Sequence, residues 1–94
     1  MTIIPVIDYY EDGQKEYEGY YNGTTHHRLD GPARQYWDVN GNTVFEQWLI
    51  NGNALKNKEL EEYKNWLVDH KLLGKPETEW TDEEMVLWKL TWNN

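Results

Sequence analysis

The 94-residue chain has no cysteine, no serine and a single phenylalanine, and its nine Lys and Arg face 17 Asp and Glu. Each shortage excludes something. Without Cys there is no disulfide framework, no thiolate nucleophile and no Cys-based zinc site, a usage that fits a reducing compartment and makes the cytoplasm the default location. Without Ser, nucleophilic catalysis would fall to threonines, and Thr24 and Thr25 stand beside His26 with no recognisable third group. The scattered bases and the net charge of −8 repel phosphate backbones at long range, so no direct nucleic-acid binding is expected. No stretch approaches the ~20 apolar residues of a membrane span. The opening Met1-Thr-Ile-Ile-Pro-Val-Ile lacks a basic flank and is broken by Pro5, so neither an export signal nor a membrane contact is expected.

What the chain does have is six Trp and seven Tyr. Each such ring, when buried, removes roughly 150–250 Å² from water while keeping a polar handle, so a core is within reach even at this length. Length leaves room for one domain, residues 1–94.

The first half is punctuated by Asp12-Gly13, Asn22-Gly23, Asp30-Gly31, Asn40-Gly41 and Asn51-Gly52, dipeptides that supply the positive φ of tight hairpin turns. Between them lie segments rich in Val, Ile, Thr, Tyr and Trp, which predict strands near 3–10, 14–21, 25–28, 33–38 and 43–50. Tyr9-Tyr10 through Gly23 and Tyr36-Trp37 through Gly52 repeat one order of features: aromatic pair, turn, aromatic, acid, aromatic, turn. Repeats of this kind are stacked supersecondary units that need capping.

From Asn57 the spacing becomes helical, with Leu60, Tyr63, Trp66 and Leu67 followed by Leu72 and Leu73, and Gly74 and Pro76 are the stop signals. A second helix opens on a Thr81/Glu84 capping box, with Trp80 placed to staple onto Met85. Met85, Trp88 and Trp92 share one face of it, whereas Leu87 and Leu90 lie on another, so the helix is either sandwiched or leaves an apolar strip free. The expected fold class is α+β: an antiparallel β-meander of hairpin repeats over 1–52, then a cap of two short helices over 53–94.

His26-His27-Arg28-Leu29-Asp30-Gly31-Pro32-Ala33, following Tyr20-Tyr21-Asn22-Gly23, resembles the HR-x-DGPA repeat of small proteins from tailed phages and some bacteria, which is similar in turn to MORN-type hairpin repeats. The likeness covers roughly residues 9–52, with one intact octet; Asn53-Ala-Leu-Lys-Asn stands where a second would fall. It implies a MORN-like hairpin scaffold, a phage origin and, because some bacterial variants carry the label, an antitoxin role. It implies no chemistry. In the octet itself, Asp30 is expected to accept amides of its own turn, Gly31 to take a conformation closed to other residues, and Arg28 to pair with Asp30.

Neighbouring strand residues point to opposite faces, so His26 and His27 are not expected to share a metal ion, and no metal or other cofactor is expected. No acid is singled out for a raised pKa and no phosphate loop is present, so the chain does not read as an enzyme. The leading expectation is stoichiometric binding of a host protein, as a phage-encoded inhibitor of a defence protein or as an antitoxin, with a basic or nucleic-acid-binding partner one natural class. Candidate contact residues are Tyr20, Trp37 and Trp48 on the sheet, or Trp88 and Trp92 on the second helix. The alternatives are a nucleotide-binding protein using His26, Arg28 and Asp30, and an assembly protein that forms homodimers through a sheet edge or the second helix.

Overall fold

A computed structural model describes residues 3–92; Met1 and Thr2, where the reading of the leader begins, and Asn93 and Asn94 lie outside the described residues. The chain runs β1 (Ile3–Tyr9), β2 (Lys15–Asn22), β3 (Thr25–His26), β4 (Arg34–Trp37), β5 (Thr43–Gln47), β6 (Leu49–Ile50), β7 (Asn53–Ala54), α1 (Asn57–Asp69), a 3-10 turn (Glu77–Glu79) and α2 (Asp82–Trp92). This is the α+β class, an antiparallel meander followed by two C-terminal helices. Among the described residues no helix is long and apolar enough to cross a membrane.

The main sheet has the order β1-β2-β4-β5, with β3 pairing the far end of β2. Strand β2 changes partner along its length: Tyr17, Glu18 and Gly19 oppose Tyr36, Gln35 and Arg34, whereas Tyr21 and Asn22 oppose His26 and Thr25. The segment after β3 fills the gap, through His27 N–H to Tyr20 O, Arg28 N–H to Leu49 O, Tyr20 N–H to Ala33 O and Ala33 N–H to Gln47 O. The strand expected over 43–50 breaks at Trp48, and its tail pairs with an additional strand, Asn53–Ala54, inside the segment expected to be helical cap. Asn51 and Gly52, at φ 50° and 82°, form the two-residue turn of that hairpin, the conformation in which both central residues need positive φ.

The core lies at one end of the sheet, where Leu29, Trp48, Tyr63, Leu67, Leu72, Trp80 and Trp88 are buried together. Tyr63 is its centre. Trp48 and Trp92 meet its ring edge-on, at 6.3 and 5.0 Å between centroids, an arrangement in which ring edges face ring π-clouds. The Tyr63 hydroxyl donates to Leu29 O (2.6 Å) and accepts from Trp88 Nε1 (3.0 Å), so one phenol ties both helices to the loop after β3.

Helix α1 stops earlier than Gly74 and Pro76 suggest. Lys71 takes the left-handed conformation at φ 59°, its N–H bonds Val68 O, and the next N–H, of Leu72, bonds Leu67 O at 2.8 Å. This is a Schellman ending with Lys where glycine is usual, held by the buried Leu67 and Leu72. Lys71→Gly is therefore expected to raise stability by about 0.5–1 kcal/mol, because relief of left-handed strain exceeds the added entropy of the unfolded chain. A higher urea midpoint at unchanged slope is the expected result. The start of α2 follows the capping box: Thr81 N–H donates to Glu84 Oε1 (2.9 Å) and Glu84 N–H to Thr81 Oγ1 (3.1 Å), with Trp80 and Met85 both on the core. Val86, Leu87 and Leu90 are left exposed on the opposite side.

Candidate functional site

Two surfaces compete for function: a cleft around the HR-x-DGPA segment, and the sheet face that the helices do not cover.

The cleft consists of adjoining cavities of about 400 and 180 Å³ that share Ile3, Glu77 and Thr78. His27, Leu29, Met85, Trp88 and Lys89 line the larger, and Tyr20, Arg28 and Asp30 the smaller. His27, Tyr20, Arg28 and Asp30 already bond other groups of the fold. The buried His27 accepts the Asn51 N–H at Nδ1 (2.9 Å), which leaves the ring proton on Nε2 for Glu77 Oε1 (2.9 Å). Arg28 donates to Asp30 Oδ2 from Nε and Nη2 (3.3 and 3.2 Å) and to Pro32 O from Nη1 (3.2 Å), with its guanidinium 4.3 Å from the Tyr20 ring centroid. The Tyr20 hydroxyl donates to Glu18 Oε2 and Lys15 Nζ to Glu18 Oε1, each at 2.5 Å.

The buried Glu18 is the hub of this network. Burial by itself would raise its pKa, but the hydrogen bonds from Lys15 and Tyr20 and the charges of Lys15 and Arg28 outweigh it, and the net shift is below the ordinary 4.5. Burial and then the bond to Glu18 push the Tyr20 phenol up to about 12. A carboxylate whose folded pKa is depressed contributes stability above its unfolded value and loses it as pH falls through the folded one. Glu18→Gln is thus expected to be less stable than wild type at pH 7, with the gap closing as pH falls below 4.5. Urea titrations of both proteins from pH 7 downward read the difference.

The Arg28–Asp30 pair forms as the sequence suggests, but two details of the octet differ. The Asp30 carboxylate takes its hydrogen bonds from Arg28 rather than from amides of its turn. Gly31 is not among the positive-φ glycines; a Cβ there would lie 2.8 Å from Arg28 Cζ, so a side chain at this position pushes the guanidinium off its bonds to Asp30 and Pro32. Gly31→Val should cost about 1–3 kcal/mol by displacing Arg28. Thermal unfolding of the variant checks it, and an unchanged midpoint would remove this account of the octet.

His26 does not join Arg28 and Asp30. It packs on Tyr21 at 4.3 Å between centroids, on the other side of the sheet, and the cleft histidine is His27. The two imidazoles diverge, as strand alternation requires, and among the described residues no group of three or more His, Asp or Glu could hold a metal ion.

The expected contact rings fare differently. Trp48 and Trp88 are 4 % and 7 % exposed, so they are core residues, which corrects their assignment to a contact surface. Trp92 packs against Tyr63 and Trp66. Trp37 and Tyr20 are half-buried on the cleft side of the sheet, Trp37 beneath Lys15 and Tyr20 beneath Arg28. The reason is parity: residues opposed across strands share a face, and Tyr20 and Trp37 belong to the face that carries Glu18 and Gln35.

The other face holds a different set. Asp8, Tyr17, Tyr36 and Phe45 form one row across four strands; Val6, Gly19, Arg34 and Gln47 form the next; Ile4, Tyr21 and His26 form the third. Tyr17, Tyr36 and Phe45 make consecutive ring contacts at 4.8 and 5.8 Å. The Tyr17 side chain folds over Gly19, where a Cβ would fall 2.1 Å from its hydroxyl, and the hydroxyl reaches Tyr21 Oη (3.1 Å) and His26 Nε2 (3.3 Å). Burial, and then the Arg34 charge, hold the His26 imidazole below the ordinary histidine value. Tyr36 and Phe45 are 39 % and 41 % exposed, and Ile4 and Val6 54 % and 40 %.

No protein-family model, no curated protein and no solved structure matches the chain.

Proposed function

We propose that the protein acts by stoichiometric binding of another protein, through the open face of the sheet. The observation that carries this is the exposure of Tyr36, Phe45, Ile4 and Val6 on one face of the sheet, around the buried Tyr17, which no other element among the described residues covers, on a chain of net charge −8. Aromatic rings inside a charged rim are the composition of interface hot spots. The rings also pair across strands, which stabilises the sheet by about 0.2–1 kcal/mol per pair, yet cross-strand pairing does not require the exposed Ile4 and Val6 beside them.

The cleft is the less favoured site, because its carboxylates and its Arg28 and His27 bond one another and leave few convergent polar groups to orient a ligand. The likeness of His26–Ala33 to the HR-x-DGPA repeat supports a MORN-like scaffold in a phage-encoded inhibitor of a host defence protein, or in an antitoxin. The test is affinity capture from a bacterial lysate with three baits: wild type, Tyr36→Ala/Phe45→Ala, and Leu90→Glu on the exposed side of α2. A partner retained by wild type and Leu90→Glu and lost by the sheet variant supports the reading. A partner lost only by Leu90→Glu overturns it.

A further inference from the structure

The open face carries one feature that apolar docking does not explain. Arg34 projects from β4 into its middle row, between Gly19 and Gln47, with its guanidinium 5.3 Å from the Phe45 ring centroid. The side chain is half-buried, its Nε is sealed from solvent without a hydrogen-bond partner, and no carboxylate pairs with it among the described residues. Arg28, by contrast, donates to Asp30 and Pro32 and lies near Glu18. A chain with 17 acidic residues therefore leaves a partly desolvated guanidinium without an acceptor among the described residues, on the face that exposes Ile4, Val6, Tyr36 and Phe45. Asp8, the single acid in the three rows, stands at the far end of the neighbouring row, on β1.

With Nε sealed, a partner's acceptor meets this guanidinium end-on, at Nη1 and Nη2, and a carboxylate is the group best matched to that fork, by two parallel N–H···O bonds. The Tyr17, Tyr21 and His26 cluster lies across Gly19 from Arg34, with its hydroxyls bonded among themselves and to the imidazole. Resting on the docking reading above, we infer that the open face recognises a segment of a partner protein that presents one Asp or Glu carboxylate, flanked by apolar side chains, to Arg34. The carboxylate meets the guanidinium while its apolar neighbours cover Tyr36 and Phe45. The acidic surface elsewhere still steers a partner that is basic overall; the contact itself takes one acid.

The test is a random peptide display library panned on the immobilised full chain, followed by titration of the enriched peptides in solution. The expected result is enrichment of peptides with one Asp or Glu between apolar residues. Changing that acid to its amide should weaken binding to the wild-type chain at least about tenfold, the loss of a charge-assisted hydrogen bond. Arg34→Met, which keeps the apolar stem over Phe45, should weaken the acidic peptide by the same factor and leave the amide peptide unchanged, so that the two losses do not add. The acid-to-amide comparison uses the native chain and stands even if Arg34→Met fails to fold. Peptides that depend on Tyr36 and Phe45 but carry no acid, or that bind Arg34→Met as tightly as wild type, overturn the carboxylate inference and leave the docking face intact. A library that yields no binder dependent on Tyr36 and Phe45 overturns both.

Discussion

Tyr63→Phe is expected to lose about 2–4 kcal/mol of stability although it removes one oxygen and keeps the ring. That oxygen serves two buried partners, accepting from Trp88 Nε1 at 3.0 Å and donating to Leu29 O at 2.6 Å. Phe leaves an indole N–H and a backbone carbonyl unpaired in the core, and each such group costs about 1–3 kcal/mol. Burial, outweighing the Trp88 hydrogen bond, pushes the Tyr63 phenol well above its ordinary value, so the hydroxyl stays protonated and able to donate throughout the usual pH range. Urea unfolding should show a lower midpoint at unchanged slope. Tyr21→Phe is the control: its half-buried hydroxyl contacts only that of Tyr17, so the loss should stay below about 1 kcal/mol. Equal losses from the two variants would mean that the Tyr63 bridge does not join the helices to the sheet.

The second large effect concerns binding. Tyr36→Ala and Phe45→Ala should each weaken the captured partner by about 2 kcal/mol or more, roughly thirtyfold, if these rings are the anchors of the open face. The rings touch at 5.8 Å, so their losses are expected to be non-additive. Trp37→Ala, on the opposite face beneath Lys15, should bind within a factor of about two of wild type while remaining folded. Calorimetric titration of the partner against each folded variant reads all three.

Much of the fold was legible because local chemistry and tertiary structure agree. The Asn51-Gly52 turn, the Thr81/Glu84 box and the move from period two to helical spacing at Asn57 each have a local cause that the structure keeps. The end of α1 was not legible, since a left-handed Lys71 is sustained by burial of Leu72 and carries no glycine to announce it. Nor was β7, whose two residues are strand only because Trp48 turns inward and leaves Leu49 and Ile50 to pair beyond it.

The site divides in the same way. Arg28 and Asp30 are two residues apart, and their pairing followed from proximity. The choice between Tyr20 and Tyr21, or between Trp37 and Tyr36, depends on which face the helices cover, and alternation alone does not say. The sequence points to His26 rather than His27 because the partners of His27, Asn51 and Glu77, are remote in sequence. Arg34 gave no signal at all, since its interest lies in an acceptor it lacks.

The central claim is that the open face of the sheet is where a partner binds. Cross-saturation NMR of the isotopically labelled chain in complex with its captured partner tests it most directly, by marking the residues within reach of partner protons. The account predicts saturation concentrated on Ile4, Val6, Tyr36 and Phe45, with the cleft residues Leu29 and Met85 unaffected. Saturation centred instead on Val86, Leu87 and Leu90 of α2, with the four sheet residues silent, would contradict it.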